Sequence, residues 1–162
     1  MKKFFGLTFL FLSFLSFGLN ADKNIQDEFI KQLNNTLEAE CIAYTQYGHD
    51  ASKTLDKELI TELIANAKEE LAHAKTITGL IKNFGGKPKI DIEKIDTPEI
   101  KNMLLAQKPA TEQAAITDYK KLIVMAQKLH NLEAQKILAD ILMQEEEHLG
   151  EQQTPKQIFD WE

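Results

Sequence analysis

Along most of the chain, apolar side chains recur every three or four residues, the spacing that gathers them on one face of an α-helix. Phe29, Leu33, Leu37, Tyr44 and Tyr47 form one such row and predict a first helix from about Asn24 to Asp50. Leu59, Leu63, Ala67, Ala74, Ile77, Leu80 and Phe84 form another, predicting a helix from near Leu55 to about Phe84. It stops at Gly85-Gly86-Lys87-Pro88, a glycine C-cap followed by a proline that cannot continue the helix. After a connection over 85–98, Thr97 as cap and Pro98 in the first turn reopen a short helix at 99–107. Pro109 then falls inside the pattern, so a third long helix runs from about 109 to 129, or the two segments form one kinked helix. His130-Asn131 is a tight break, and a fourth helix runs to about Glu151.

Short links between the first and second long helices, and between the third and fourth, predict two antiparallel hairpins. The 14-residue stretch 85–98 joins them as a crossover. The predicted class is all-α, a four-helix bundle with one long crossover. The tail over 153–162 has room for a further turn or two.

The first 21 residues have a different pattern. Lys2 and Lys3 precede an apolar run to Leu19, and Ala21 is a small residue at a plausible cleavage point. That is the layout of a secretory leader. The run is short for a membrane span and contains Thr8, Ser13 and Ser16, so a cleaved leader is expected rather than an anchor. The expected organisation is therefore a leader over 1–21, a bundle over 22–152 and a tail over 153–162, exported and periplasmic, with no stable membrane insertion. All 19 basic residues are lysine, which excludes a twin-arginine signal. Losing the leader removes two lysines and no acids, taking the net charge from −6 to −8. Such an acidic domain argues against nucleic acid or an anionic membrane as partner. The single cysteine, Cys41, provides no disulfide framework and is expected to pack as a small apolar residue.

Several charges fall on the apolar rows. Glu40 lies between Leu37 and Tyr44; Glu70 and His73 interrupt the row of the second helix; Glu112 stands in line with Leu105, Ile116, Tyr119 and Ile123; Glu145 and His148 continue Leu138 and Ile141. A Glu-x-x-His pair puts both groups on one helix face. Either pair alone is unremarkable in a chain with this many glutamates. Four carboxylates converging in one core are not: no arginine exists to balance them, and uncompensated buried charges cost several kcal/mol each. Two divalent cations would balance four glutamates. One Glu from each of two helices and Glu-x-x-His from each of the other two is the general recipe of dinuclear carboxylate bundles. Four carboxylates among six ligands favour iron or manganese. Glu70 and Glu145 are the natural bridges, so that each metal takes one histidine and one terminal glutamate.

These residues resemble the bacterioferritins within the ferritin-like superfamily. LNNTLEAECIAYTQY (33–47) is similar to the family's first-helix segment around Glu40, EELAHAKTITGLIKNFGGKP (69–88) to the segment around Glu70 and His73, and EEEHLGE (145–151) to that around Glu145 and His148. Glu112 follows as the third-helix ligand by position. The resemblance covers about residues 25–152 and implies a ferritin-like bundle binding two iron ions per subunit, with manganese as the alternative. It implies a ferroxidase: Fe²⁺ is oxidised to Fe³⁺ by O₂ or H₂O₂ and then released or stored, in a homo-oligomer. Tyr47 matches a family tyrosine placed to supply an electron, with core packing the alternative for it as for Tyr44 and Tyr119.

Two departures carry expectations. Leu71 occupies the place of the family's haem-ligating methionine, so no haem is expected. Only 14 residues follow His148, which leaves little room for the separate fifth helix of cage-forming members. The same six ligands also suit a manganese catalase-like or rubrerythrin-like peroxidase, or a non-catalytic metal carrier; one cysteine cannot build the extra iron centre of rubrerythrins.

Overall fold

The computed structural model describes the backbone of residues 8–153 and the side chains of residues 23–150. The leader expected over 1–21 and the tail expected over 153–162 lie outside the residues whose side chains are described. The elements are α1 (Thr8–Ala51), α2 (Lys57–Asn83), a single 3₁₀ turn (Ile92–Lys94), α3 (Pro98–Leu105), α4 (Glu112–Lys128) and α5 (Leu132–Gln153). Among the described residues no helix is long and apolar enough to cross a membrane.

Local chemistry sets the boundaries. The Asp56 carboxylate accepts the N–H groups of Glu58 and Leu59 and starts α2. Its end is a left-handed Gly85 (φ 77°), with Gly85 N–H donating to Lys82 O and Gly86 N–H to Ile81 O. Gly86 is fixed by space, since a Cβ there would lie 2.5 Å from Cγ2 of Ile30. The segment after α2 is a crossover laid along α1. Gln26 donates to Phe84 O, Asn34 bonds the backbone of Lys87 and Lys89, and Tyr44 donates to Asp96. Those anchors advance 18 residues along α1, roughly 27 Å at 1.5 Å per residue. Ile90, Ile92 and Ile95 turn inward from it to cover the core.

The two hairpins are α1–α2 and α4–α5. Across the bundle, Glu40 meets Tyr119 while Tyr47 meets Glu112, so α1 and α4 are antiparallel. His73 faces Gln144 while Glu69 faces His148, so α2 and α5 are antiparallel as well. Phe29, Leu33, Leu37, Ile77, Ile81, Leu122 and Leu138 are fully buried and form the apolar half of the core.

The bundle differs from the sequence reading in three places. α1 is helical from Thr8 rather than from about Asn24, because a uniformly apolar stretch carries no periodicity to mark a helix. Of the two readings around Pro109 the two separate helices hold, but α4 starts at Glu112 rather than near 109, because the extended Thr111 (φ −131°, ψ 142°) caps Ala114 N–H. The buried residues there are Leu104 and Leu122, not the Leu105 and Ile123 of the expected row. At the α4–α5 link, His130 itself takes the left-handed conformation (φ 52°), and Asn131 caps α5 by accepting Ala134 N–H.

Candidate metal centre

All six residues picked out from the sequence come together in the middle of the bundle. Glu40, Glu70, His73, Glu112, Glu145 and His148 are each less than a tenth exposed. They form two overlapping groups, Glu40–Glu70–His73–Glu145 and Glu70–Glu112–Glu145–His148, whose candidate ligand atoms lie within 4.8 Å of one another. Glu70 and Glu145 belong to both. The helical i, i+3 spacing puts Glu70 beside His73 and Glu145 beside His148, and the antiparallel crossing of α2 and α5 brings the two pairs face to face. The imidazole centroids are 6.3 Å apart.

Each terminal glutamate is held by a tyrosine. The Tyr119 hydroxyl donates to Glu40 Oε1 at 2.6 Å, and the Tyr47 hydroxyl donates to Glu112 Oε1 in a very short contact. Glu112 is the first residue of α4, where the exposed N–H groups of the helix start favour a carboxylate. Each histidine is held from behind through Nε2, His73 against Gln144 Oε1 at 2.7 Å and His148 against Glu69 Oε2 at 2.8 Å. With Nε2–H donating in both, each Nδ1 faces the centre.

The proton balance of the cluster is that of a charge-crowded cavity. Burial raises the Glu40 carboxyl well above the carboxylate range, only partly offset by His73. Burial also raises Glu112, to about 7, against the lowering effect of Tyr47. Glu70 goes the other way: burial opposes its charge, but contacts with His148 and His73 outweigh it and hold it near 2. Burial would lower His73, yet Glu145, Glu40 and Glu70 lift it to about 12; His148 is lifted to about 9, chiefly by Glu70.

These attractions do not satisfy the atoms concerned. His73 Nδ1 lies 2.8 Å from Glu145 Oε1 and 3.5 Å from Glu70 Oε2, and His148 Nδ1 lies 3.3 Å from Glu70 Oε1. None of these is aligned as a hydrogen bond: Glu70 Oε1, Glu145 Oε1, His73 Nδ1 and His148 Nδ1 are buried without a hydrogen-bond partner. Buried polar atoms are nearly always paired. Two carboxylate oxygens and two imidazole nitrogens without a hydrogen-bond partner around one point are a donor set for cations, and four glutamates against two divalent ions leave no net charge. The residues fit a metal pair.

A cavity of about 220 Å³ between α1 and α4 leads to the cluster. It is lined by Glu40, Glu70, Glu112 and Glu145 at its inner end and by exposed Thr111 and Ala114 at its outer end, with Asp50 and Asp118 along the way. Cys41 stands outside this chemistry. It is fully buried, and burial pushes its thiol up to about 12.

Sequence reading gave Tyr119 no contact beyond packing and left Glu69 and Gln144 unremarked. The one signal for the latter two was their place, each directly before a Glu-x-x-His motif.

Comparison with known proteins agrees with this architecture. A search of curated proteins finds no match. Among solved structures, the bacterioferritin of Desulfovibrio desulfuricans, described with its diiron site in different catalytic states, superposes with a TM-score of 0.65 at 20% identity, covering 80% of this chain and 78% of that one. The family description "Ferritin-like domain" matches residues 30–154, most of the chain, so this protein belongs to the ferritin-like domain family and is an all-α ferritin-like bundle.

Proposed function

We propose that the protein is a bacterioferritin-like di-iron protein that binds two Fe²⁺ ions and oxidises them to Fe³⁺ with O₂ or H₂O₂, for iron detoxification or storage. The observation that carries this reading is the pair of overlapping four-residue groups sharing Glu70 and Glu145, with four of their atoms buried and without a hydrogen-bond partner. Iron here is substrate, and the chemistry it supplies is its own transfer of an electron to the oxidant.

The chain's residues do the rest. Glu40 and His73 would hold one ion and Glu112 and His148 the other, with Glu70 and Glu145 between them. Carboxylates suit the change from Fe²⁺ to Fe³⁺ because anionic oxygens gain most from the added charge. Tyr119 and Tyr47 fix the terminal carboxylates, and Tyr47, which lines the cavity, would give an electron to the O₂ or H₂O₂ being reduced and its proton to Glu112. Asp50 and Asp118 give the cavity the polarity that draws cations inward. Manganese loading with peroxide turnover, or metal carriage without turnover, is the alternative that the same ligands permit.

The leader layout supports export to the periplasm, and the family supports a homo-oligomer. No haem is proposed, since Leu71 offers no axial ligand.

The test is anaerobic titration of the metal-free protein with Fe²⁺ followed by admission of air. Saturation at two ions per chain and rapid ferric absorbance are expected, both lost in Glu145→Ala while the helical circular dichroism remains. Binding without oxidation would leave a carrier, and unchanged oxidation in Glu145→Ala would reject the ligand assignment.

A further inference from the structure

Residues 69 and 144 occupy corresponding places in the two halves of the centre. Each directly precedes a bridging glutamate, and each reaches across the α2–α5 interface to Nε2 of the histidine on the opposite helix. The geometry of the two contacts is nearly the same, 2.7 Å and 2.8 Å. The chemistry is not: His73 is backed by the neutral amide of Gln144, His148 by the carboxylate of Glu69. We infer that the two metal positions are built to be unequal, and that Glu69 is the positioning residue that makes the Glu112–His148 position the tighter one. This rests on the dinuclear reading above.

Both Nε2–H groups donate outward, so both Nδ1 atoms face inward and neither half lacks a ligand. What differs is the charge behind the ring. A carboxylate accepting from Nε2–H draws electron density toward Nδ1 and adds a negative charge one layer outside the ion, whereas an amide oxygen orients the ring without that charge. Access points the same way. The cavity opens at exposed Thr111 and Ala114, in the cap and first turn of the helix that carries Glu112, so an incoming cation meets the Glu112 side first. The Glu40 side lies deeper, its carboxylate 3% exposed and its Oε1 engaged by fully buried Tyr119. Half-exposed Glu69 leaves room to change its charge without disturbing the core.

Zn²⁺, which does not change oxidation state, is the probe. Glu40→Gln and Glu112→Gln each leave one position intact, and calorimetric Zn²⁺ titration of the metal-free proteins reads it alone. Adding Glu69→Gln to Glu40→Gln is expected to weaken the remaining site about 10- to 100-fold. Adding it to Glu112→Gln should change nothing, and Gln144→Glu should tighten that second position instead. Wild-type protein should fill in two resolved steps that draw together in Glu69→Gln. Equal effects of Glu69→Gln in both backgrounds, or none in Glu40→Gln, would overturn the inference while two Zn²⁺ still bind. Wild-type protein that takes up fewer than two Zn²⁺ would overturn the dinuclear reading itself.

Discussion

Tyr119 and Glu40 lie 79 residues apart in sequence, yet the phenol donates to the carboxylate at 2.6 Å with both groups out of solvent. The contact ties α4 to α1 and fixes which oxygen of Glu40 is free for the centre. Burial, then the nearby Glu40 carboxyl, pushes the phenol well above its ordinary range, so it stays a neutral donor. Tyr119→Phe keeps the ring and removes the donor. It should destabilise the metal-free protein by about 1–3 kcal/mol, the cost of an orphaned buried acceptor. Denaturant unfolding measures that loss, and an unchanged midpoint would show that Glu40 finds another partner.

Tyr47→Phe separates holding a metal from turning it over. The phenol touches the Glu112 carboxylate and is not itself among the six candidate ligands, so two Fe²⁺ should still bind, while oxidation slows about 10-fold or more. Stopped-flow ferric absorbance beside equilibrium titration checks both. A rate equal to wild type would leave Tyr47 a packing residue.

Metal should raise stability in proportion to its affinity. A ligand that binds only the folded state at a hundredfold excess over its dissociation constant contributes about 2.7 kcal/mol. Thermal unfolding of wild type should rise on adding Mn²⁺ or Zn²⁺ and fall back with chelator. Glu70→Gln removes the carboxylate that His148 and His73 hold ionised, so its metal-free form should be less stable than wild type, and it should lose the metal response. A response as large as that of wild type would mean the stabilising ions bind elsewhere.

The crossover carries its own pH signature. Lys101 at 2.9 Å, then Tyr44, holds Asp96 below the usual carboxylate range. A depressed carboxyl contributes stability above its unfolded pKa of about 3.9 and loses it as pH falls through the folded value. The gap between wild type and Asp96→Asn should therefore be full at neutral pH and close below about pH 4. Solvent screens this pair, so the gap is about 0.2–1 kcal/mol. Tyr44 runs opposite. Burial and then Asp96 raise it to about 12, so its contribution is intact below the ordinary tyrosine value and lost as pH rises through about 12. Tyrosinate absorbance should appear at lower pH in Asp96→Asn.

Two backbone positions test the turns. Gly86→Ala forces a methyl against Ile30 and the end of α2, and should cost about 1–3 kcal/mol. His130→Gly relieves a left-handed residue at the end of α4 and should stabilise by up to about 1 kcal/mol. Chemical denaturation of the two variants should move the midpoint in opposite directions.

The sequence made the candidate ligands legible where spacing within one helix decides the face. Glu70 with His73, and Glu145 with His148, needed only the helical period. Glu40 needed the row from Leu37 to Tyr44, of which Leu37 is fully buried and Tyr44 half-buried. Glu112 was harder. It lies just past the break at Pro109, and helical phase does not carry across an extended Thr111, so the row drawn through Leu105 and Ile123 was out by one residue on each side. Glu69 and Gln144 were illegible. They are solvent-facing residues on their own helices, and their role exists only through the relative rotation of α2 and α5, which no single-helix pattern encodes. The expectation of a leader over 1–21 rests on composition rather than on the bundle.

The direct measurement of the central claim is anomalous diffraction from crystals of the protein loaded anaerobically with Fe²⁺. Two iron peaks about 3.5–4 Å apart are expected at the bundle centre, one beside Glu40 and His73 and one beside Glu112 and His148, with Glu70 and Glu145 between them. A single peak, or iron bound only along the acidic surface while the six side chains pair among themselves, would contradict it.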